Sequence, residues 1–292
     1  MPWLQLHIPS TADHAEAVED MLLALGASAV TLADGADQPL FEPPPGATPL
    51  WRETIVSALF EADADEAAII AALNEHLDPP PADYRFEQVA DQAWERAWMD
   101  DFKPMPFGER LWIVPSWAEA PDAGAVNLKL DPGLAFGTGT HETTALCLNW
   151  LDGAELTGKR VLDFGCGSGV LAIAALLLGA DYAVATDIDP QALLATRENA
   201  RLNGVGDRLS CVLPEEMPAA HFDVVLANIL AGPLVALAPQ LISHCRPGGR
   251  IVLSGILAAQ ADEVVTAYQP QVNLNPVAVR GDWTRVDGTR KA

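Results

Sequence analysis

Basic residues are scarce in this chain, and most of all near its beginning. Residues 1–102 hold 20 Asp or Glu against three Arg and no Lys, so a charge of −17 sits there out of −23 for all 292 residues. Such a segment repels nucleic acid and anionic membranes and attracts a basic partner at long range. A merely solvated acidic surface is the plainer alternative. Cysteines are few as well. Cys147, Cys166, Cys211 and Cys245 include no Cys-x-x-Cys pair, which argues against a zinc site or a disulfide framework and for reduced thiols in a cytosolic protein. Met1 to Asp20 carries four acids and no Lys or Arg, unlike a secretory signal. Long hydrophobic runs are missing too: the longest, Gly169 to Ala180, stops at Asp181 and is too short to span a bilayer. What remains is a half-apolar chain longer than one core usually supports, which points to two domains.

The first domain is expected over residues 1–90. Strand Trp3 to Ile8, helix Ala12 to Leu25, strands Ser28 to Leu32 and Thr54 to Phe60, helix Asp65 to Leu77 and strand Tyr84 to Val89 follow one another. Val18, Met21, Leu22 and Leu25 recur at helical spacing, and Gly26 stops that helix. Strand, helix, two strands, helix, strand is the ferredoxin-like order. This unit offers no nucleophile or acid–base pair, so it reads as a binding module. Residues 91–130 read as a linker: Asp91 caps a helix whose Trp94, Ala97 and Trp98 share a face, and strands Leu111 to Pro115 and Val126 to Leu130 follow. Interdomain packing is the favoured use of the Trp pair. Residues 131–292 form the second domain, where alternating strands and helices imply a mostly parallel sheet covered on both faces. Its expected elements include helix Pro233 to Cys245, a turn at Arg246 to Gly249, strand Arg250 to Ser254 and helix Ala258 to Tyr268.

The most informative stretch is the strand Arg160 to Phe164 running through Gly165-Cys166-Gly167-Ser168-Gly169 into an apolar helix. Closely spaced glycines let a ligand approach bare backbone N–H groups at such a turn. A dinucleotide fingerprint needs a third glycine where Val170 stands, which leaves a nicotinamide enzyme as a weaker alternative. The Asp-x-Gly-x-Gly-x-Gly pattern from Asp163 instead resembles the first motif of S-adenosylmethionine-dependent methyltransferases with a Rossmann-like core. A second strand, Tyr182 to Thr186, delivers Asp187, 22 residues after Gly165, where a carboxylate can accept both ribose hydroxyls of an adenosyl group. Asn228 ends strand Phe222 to Ala227 and offers a side-chain oxygen to an amine, although Ile229 and Leu230 stand where amino methyltransferases commonly carry prolines. An asparagine that only closes its strand is the structural alternative.

Ahead of the glycine turn lies Asp131 to Thr144, a loop whose Thr140, Thr143 and Thr144 can satisfy free N–H groups at the next helix start. It is neither a phosphate loop nor, lacking a second histidine after His141, a zinc motif, and no metal is expected. Together with Asp187-Ile188-Asp189-Pro190, Ala227 to Pro233 and Gly281-Asp282-Trp283, these motifs resemble the family that methylates the eleventh protein of the large ribosomal subunit, over nearly the whole chain. The resemblance implies a Rossmann-like core with a seven-stranded sheet, a small N-terminal domain that recognises the ribosomal protein, and methylation of lysine side chains and the N-terminal amine. It implies S-adenosylmethionine contacts at Thr144, Gly165, Asp187 and Asn228; Gly167 joins them as the centre of the glycine turn. Asn228 is the candidate for orienting the amine, helped by the loop from Phe136 to Thr140. A monomeric cytoplasmic enzyme without direct nucleic-acid contact is expected. A methyltransferase of ribosomal RNA or of another protein, and a cofactor-binding protein without turnover, are the rivals.

Overall fold

The computed structural model describes residues 3–36, 38, 49–89, 102–131 and 141–292. The helix expected from Asp91 and its tryptophans lies outside them, as does the loop from Phe136 to Thr140. The chain divides into two compact units, Met1–Ala97 and Trp98–Ala292.

In the first unit, β1 (Trp3–Thr11), α1 (Ala12–Ala24), β2 (Ala29–Asp34), β3 (Glu53–Glu61), α2 (Glu66–His76) and β4 (Arg85–Val89) make an antiparallel sheet in the order β2-β3-β1-β4, the ferredoxin-like arrangement. Period-two alternation buries Leu4, Leu6 and Ile8 of β1 against Val56, Ala58 and Phe60 of β3. Helix α1 contributes Ala15, Val18 and Leu22, spaced three and four residues apart on one stripe. Asp65 caps α2, its carboxylate accepting from the N–H groups of Ala67 and Ala68.

The second unit opens with β5 (Met105–Phe107), β6 (Leu111–Val114) and β7 (Val126–Lys129), a separate three-stranded sheet. The sequence reading missed β5 because Pro106 looks like a breaker, but β5 is an edge strand, where a missing N–H costs no ladder bond. Phe107, Leu111, Ile113 and Leu128 share one core with Leu148 and Leu171, so these strands are part of the second unit's interior. Two polar clasps hold them. Asp152 accepts from the N–H groups of Glu109 and Arg110, and Asn203 pairs with both the N–H and the carbonyl of Lys129.

There follow α3 (Glu142–Asp152), β8 (Arg160–Phe164), α4 (Val170–Leu177), β9 (Tyr182–Thr186), α5 (Pro190–Leu202), β10 (Leu209–Val212), β11 (Phe222–Asn228), α6 (Ala231–Ala236), α7 (Ala238–His244), β12 (Cys245–Leu257), α8 (Ala261–Tyr268), β13 (Val272–Leu274), β14 (Ala278–Arg280) and β15 (Trp283–Arg290). The main sheet runs β10-β9-β8-β11-β12-β15-β13, seven strands among the described residues, with β14 added as a further partner of β15. The first five are parallel and β15 is antiparallel to β12, a Rossmann-like α/β architecture. Helix α4 is apolar all round and buried from Val170 to Leu176, as expected of a helix covered on every side.

Three expected elements differ in detail. The helix expected over Pro233 to Cys245 is broken at Leu237 into α6 and α7, because Pro239 lacks an N–H and disfavours helical backbone just before it. The turn Arg246 to Gly249 lies inside β12 as an irregularity: Phe222 pairs Cys245, and pairing resumes at Val224 with Arg250. The helix from Ala258 begins as one 3-10 turn before α8. Behind the sheet the buried Asp287 accepts from Arg250 and Arg285, and Arg285 also donates to the Leu146 carbonyl, tying α3 to β15. Among the described residues no helix is long and apolar enough to cross a membrane.

Candidate active site

Strand order reverses between β8 and β11, and in such sheets ligands bind beyond the C-terminal strand ends at that reversal. Gly165 to Gly169, Asp187 and Asn228 all leave the sheet at that end. Gly165, Gly167 and Gly169 have φ of +74°, +53° and +77°, a left-handed backbone that side chains rarely adopt. The N–H groups of Gly165 and Cys166 both donate to the Thr186 carbonyl, at 2.8 and 3.1 Å, binding the turn to the end of β9. Gly167 N–H donates to Asp187 Oδ2 at 2.9 Å and Asp189 N–H to Oδ1 at 3.0 Å. Two backbone donors therefore orient the Asp187 carboxylate, and each oxygen keeps capacity for another donor.

The far side of the turn is held from α5. Thr196 Oγ1 donates to the Gly167 carbonyl at 3.0 Å and Asn199 Nδ2 to that of Ser168 at 2.9 Å. Sequence reasoning missed this pair. Their three-residue spacing, which puts both on one helix face, was the available signal.

Asp163, 1% exposed, lies beneath. Helix α4 starts after Gly169, which has no side chain to cap it, so Asp163 Oδ2 accepts from the Ala172 N–H at 3.0 Å instead. Asp163 Oδ1 is buried with no hydrogen-bond partner among the described residues. Burial pushes this carboxyl up to about 7; the Ala172 bond pulls the other way and the Asp187 charge adds to the rise. Burial likewise raises the thiol of Cys166, in the turn, and pushes that of Cys147, on α3, up to about 12, so neither is an activated nucleophile. No group of side chains suited to a metal occurs among the described residues.

Asn228 Nδ2 donates to Thr144 Oγ1 at 3.2 Å. Thr144 is buried in the first turn of α3, whose cap is not the expected threonine but His141: its Nδ1 accepts from Thr143 N–H at 3.3 Å. The His141 ring meets Trp283 edge-on, centroids 4.8 Å apart, and a Cβ at Gly281 would come within 2.6 Å of the Glu142 carboxylate, so the late Gly-Asp-Trp motif closes against this helix start. Ile188 and Leu230, 86% and 49% exposed, are apolar side chains next to Asp187 and Asn228.

The structure thus joins Gly165, Gly167 and Asp187 in one unit and Thr144 and Asn228 in another. An oriented carboxylate with spare lone pairs suits a sugar diol. The glycine turn beside it, free of Cβ atoms at its glycines, lets a ligand approach the backbone, and both features fit an adenosyl group.

The family model described as Ribosomal protein L11 methyltransferase (PrmA) matches residues 2–291. The Ribosomal protein L11 methyltransferase of Azotobacter vinelandii is 60% identical over 292 residues, and that of Pseudomonas aeruginosa (strain UCBPP-PA14) 59% identical over 293, each with both chains covered in full. Among solved structures, the ribosomal protein L11 methylase of Lactobacillus delbrueckii subsp. bulgaricus is similar at 34% identity with a TM-score of 0.60, over 65% of this chain and 100% of that one.

Proposed function

Because the chain belongs to the ribosomal protein L11 methyltransferase family, whose members depend on S-adenosylmethionine, we propose that it transfers methyl groups to lysine side chains and the N-terminal amine of ribosomal protein L11. The cofactor, when bound, supplies a methyl group already activated by a positive sulfur, so no nucleophile from the protein is needed. Gly165 and Gly167 would present backbone to it, Asp187 would accept its ribose hydroxyls, and Thr144 and Asn228 would line the same site.

The difficulty lies with the acceptor. A lysine of ordinary pKa is neutral in only about one molecule in a few thousand at pH 7, and a protonated amine has no lone pair. The observation that carries the reading is the bond from Asn228 Nδ2 to Thr144. It engages one of the two amide N–H groups, which fixes the orientation of the amide and leaves Oδ1 as the acceptor that aims an amine N–H. Favouring the neutral amine and holding it in line is then the main work, and alignment of this kind supplies on the order of 7–11 kcal/mol. No single residue need act as an indispensable base.

The acidic N-terminal domain, residues 1–90, is the proposed recognition module for the basic substrate, and the enzyme is proposed to work as a cytoplasmic monomer without direct contact to nucleic acid. The test is incubation of the full chain with methyl-labelled S-adenosylmethionine and purified L11, followed by mass-spectrometric location of the label. Label on lysines and the terminal amine is expected; label confined to RNA or to another protein in a ribosomal mixture rejects the reading. For Asn228→Ala, turnover should fall about tenfold or more with nearly unchanged cofactor affinity, as expected for lost alignment. Loss of affinity alone would reject the orienting role.

A further inference from the structure

Ile229 lies between two glycines from different strands. A Cβ added at Gly165, the first residue after β8, would overlap Ile229 Cγ2. One added at Gly255, inside β12, would overlap the carbonyl of Ile229 and come within 3.1 Å of its nitrogen. Both glycines have positive φ, +74° and +84°, and Gly255 falls where β12 and β15 lose register between Leu253 and Ile256. The side chain of Ile229 therefore fills the space left by one missing Cβ, and its backbone fills the space left by the other.

The neighbours of Ile229 are fastened separately. Asn228 pairs with Ser254 at the end of β11 and donates its amide to Thr144. Leu230 accepts from Leu234 N–H at 3.1 Å, which starts α6. Residue 229 is the member of this three-residue segment whose atoms occupy the space a Cβ would fill at both Gly165 and Gly255. Interiors as tightly packed as this transmit a displacement rather than absorb it.

We propose that Ile229 is a positioning residue: its Cγ2 methyl, seated on Gly165, sets the distance between the cofactor-binding turn and the Asn228 amide. The proposal rests on the methyl-transfer reading above and goes beyond it by naming the contact that holds donor and acceptor sites in register. A packing role alone would depend on side-chain volume; this role depends on the branch at Cβ. Valine keeps a methyl at that point, whereas leucine keeps the volume but moves its branch one carbon outward.

The experiment compares Ile229→Val and Ile229→Leu in the full chain by kcat, calorimetric affinity for S-adenosylmethionine, melting temperature and the side-chain amide signal of Asn228 in nitrogen-15 NMR spectra. Ile229→Leu should lose at least tenfold in kcat with cofactor affinity within threefold, and its Asn228 amide signal should shift in the free protein. Ile229→Val should hold kcat within threefold and keep the signal in place. Equal kcat and unshifted amide signals in both variants would overturn the proposal, as would losses that simply follow the melting temperature. The amide signal needs no substrate. If wild-type protein methylates no L11 while the signal still separates leucine from valine, the substrate reading fails and the positioning role stands.

Discussion

Helices α1 and α4 are both short and apolar-rich, yet α1 buries three of its 13 residues and α4 seven of its eight. The first rests one stripe on a sheet and leaves the rest to water, so its core side chains can be picked out by spacing. The second is enclosed, begins at a glycine, and relies on Asp163 of the preceding strand for its cap. Asp65 caps α2 from the adjacent position, and His141 and Asp189 do the same for α3 and α5, whereas α4 draws its acceptor from the strand before it. The glycine turn between β8 and α4 is where contacts from the end of β9 and from α5 converge, so several segments are held there in fixed relation to one another.

Four measurements break or sharpen that contrast. The largest effect is expected for Asp187→Ala, which removes the proposed acceptor for two ribose hydroxyls; at about 1.5–3 kcal/mol per charged hydrogen bond, the cofactor dissociation constant should rise at least a hundredfold by calorimetry. Retained affinity would show that the carboxylate only braces the glycine turn.

Asp163 comes next. Its folded carboxyl titrates near 7, against 3.8 when free, so between about pH 4 and pH 7 the folded protein keeps a proton that the unfolded chain has released. That contribution to stability is present below pH 4 and is lost as pH rises to 7. Asp163→Asn should therefore gain on the wild type across this window, by on the order of 4 kcal/mol, and level off above it. A difference in melting temperature that stays constant with pH would refute this.

Glycines sharpen the comparison further. Gly169 has φ +77°, and a Cβ there would meet Thr196 Oγ1 at 2.8 Å, whereas Gly26 has φ +93° with nothing within 4 Å. Alanine at Gly26 should cost about 1–2 kcal/mol from backbone strain. At Gly169 the same strain is joined by overpacking of about 1–3 kcal/mol, read in denaturant melts. Equal costs would mean that Thr196 yields freely. The smallest effect is expected for Arg85→Ala in the N-terminal unit, which breaks the exposed pair with Glu87 and should change stability by at most about 0.5 kcal/mol.

The glycine turn, Asp187 and Asn228 were legible because each sits at a strand end whose hydrophobic run is local. The ferredoxin-like order was legible for the same reason. Other features hid from a linear reading. Thr196 and Asn199 act on carbonyls about 30 residues away, and their contribution shows only when α5 is laid beside the turn. His141 took the cap that the threonines were expected to supply, since an imidazole can accept like a hydroxyl. Pro106 and Pro239 were ambiguous because proline breaks interior elements yet is tolerated at edges and first turns.

Order along the chain was sufficient to establish most of the strands, where the backbone must open for a ligand, and which acid stands at the second strand end. Those properties depend on side-chain periodicity and on the absence of a Cβ, both local. The tertiary structure alone decided that Asp163 would cap a helix it precedes, that Thr144 would hold the amide of Asn228, and that Ile229 would lie between Gly165 and Gly255. The last two join segments far apart in sequence that only the packing of the sheet brings within a few ångströms, while Asp163 reaches Ala172, nine residues on, because the glycine turn folds the helix back beside its strand.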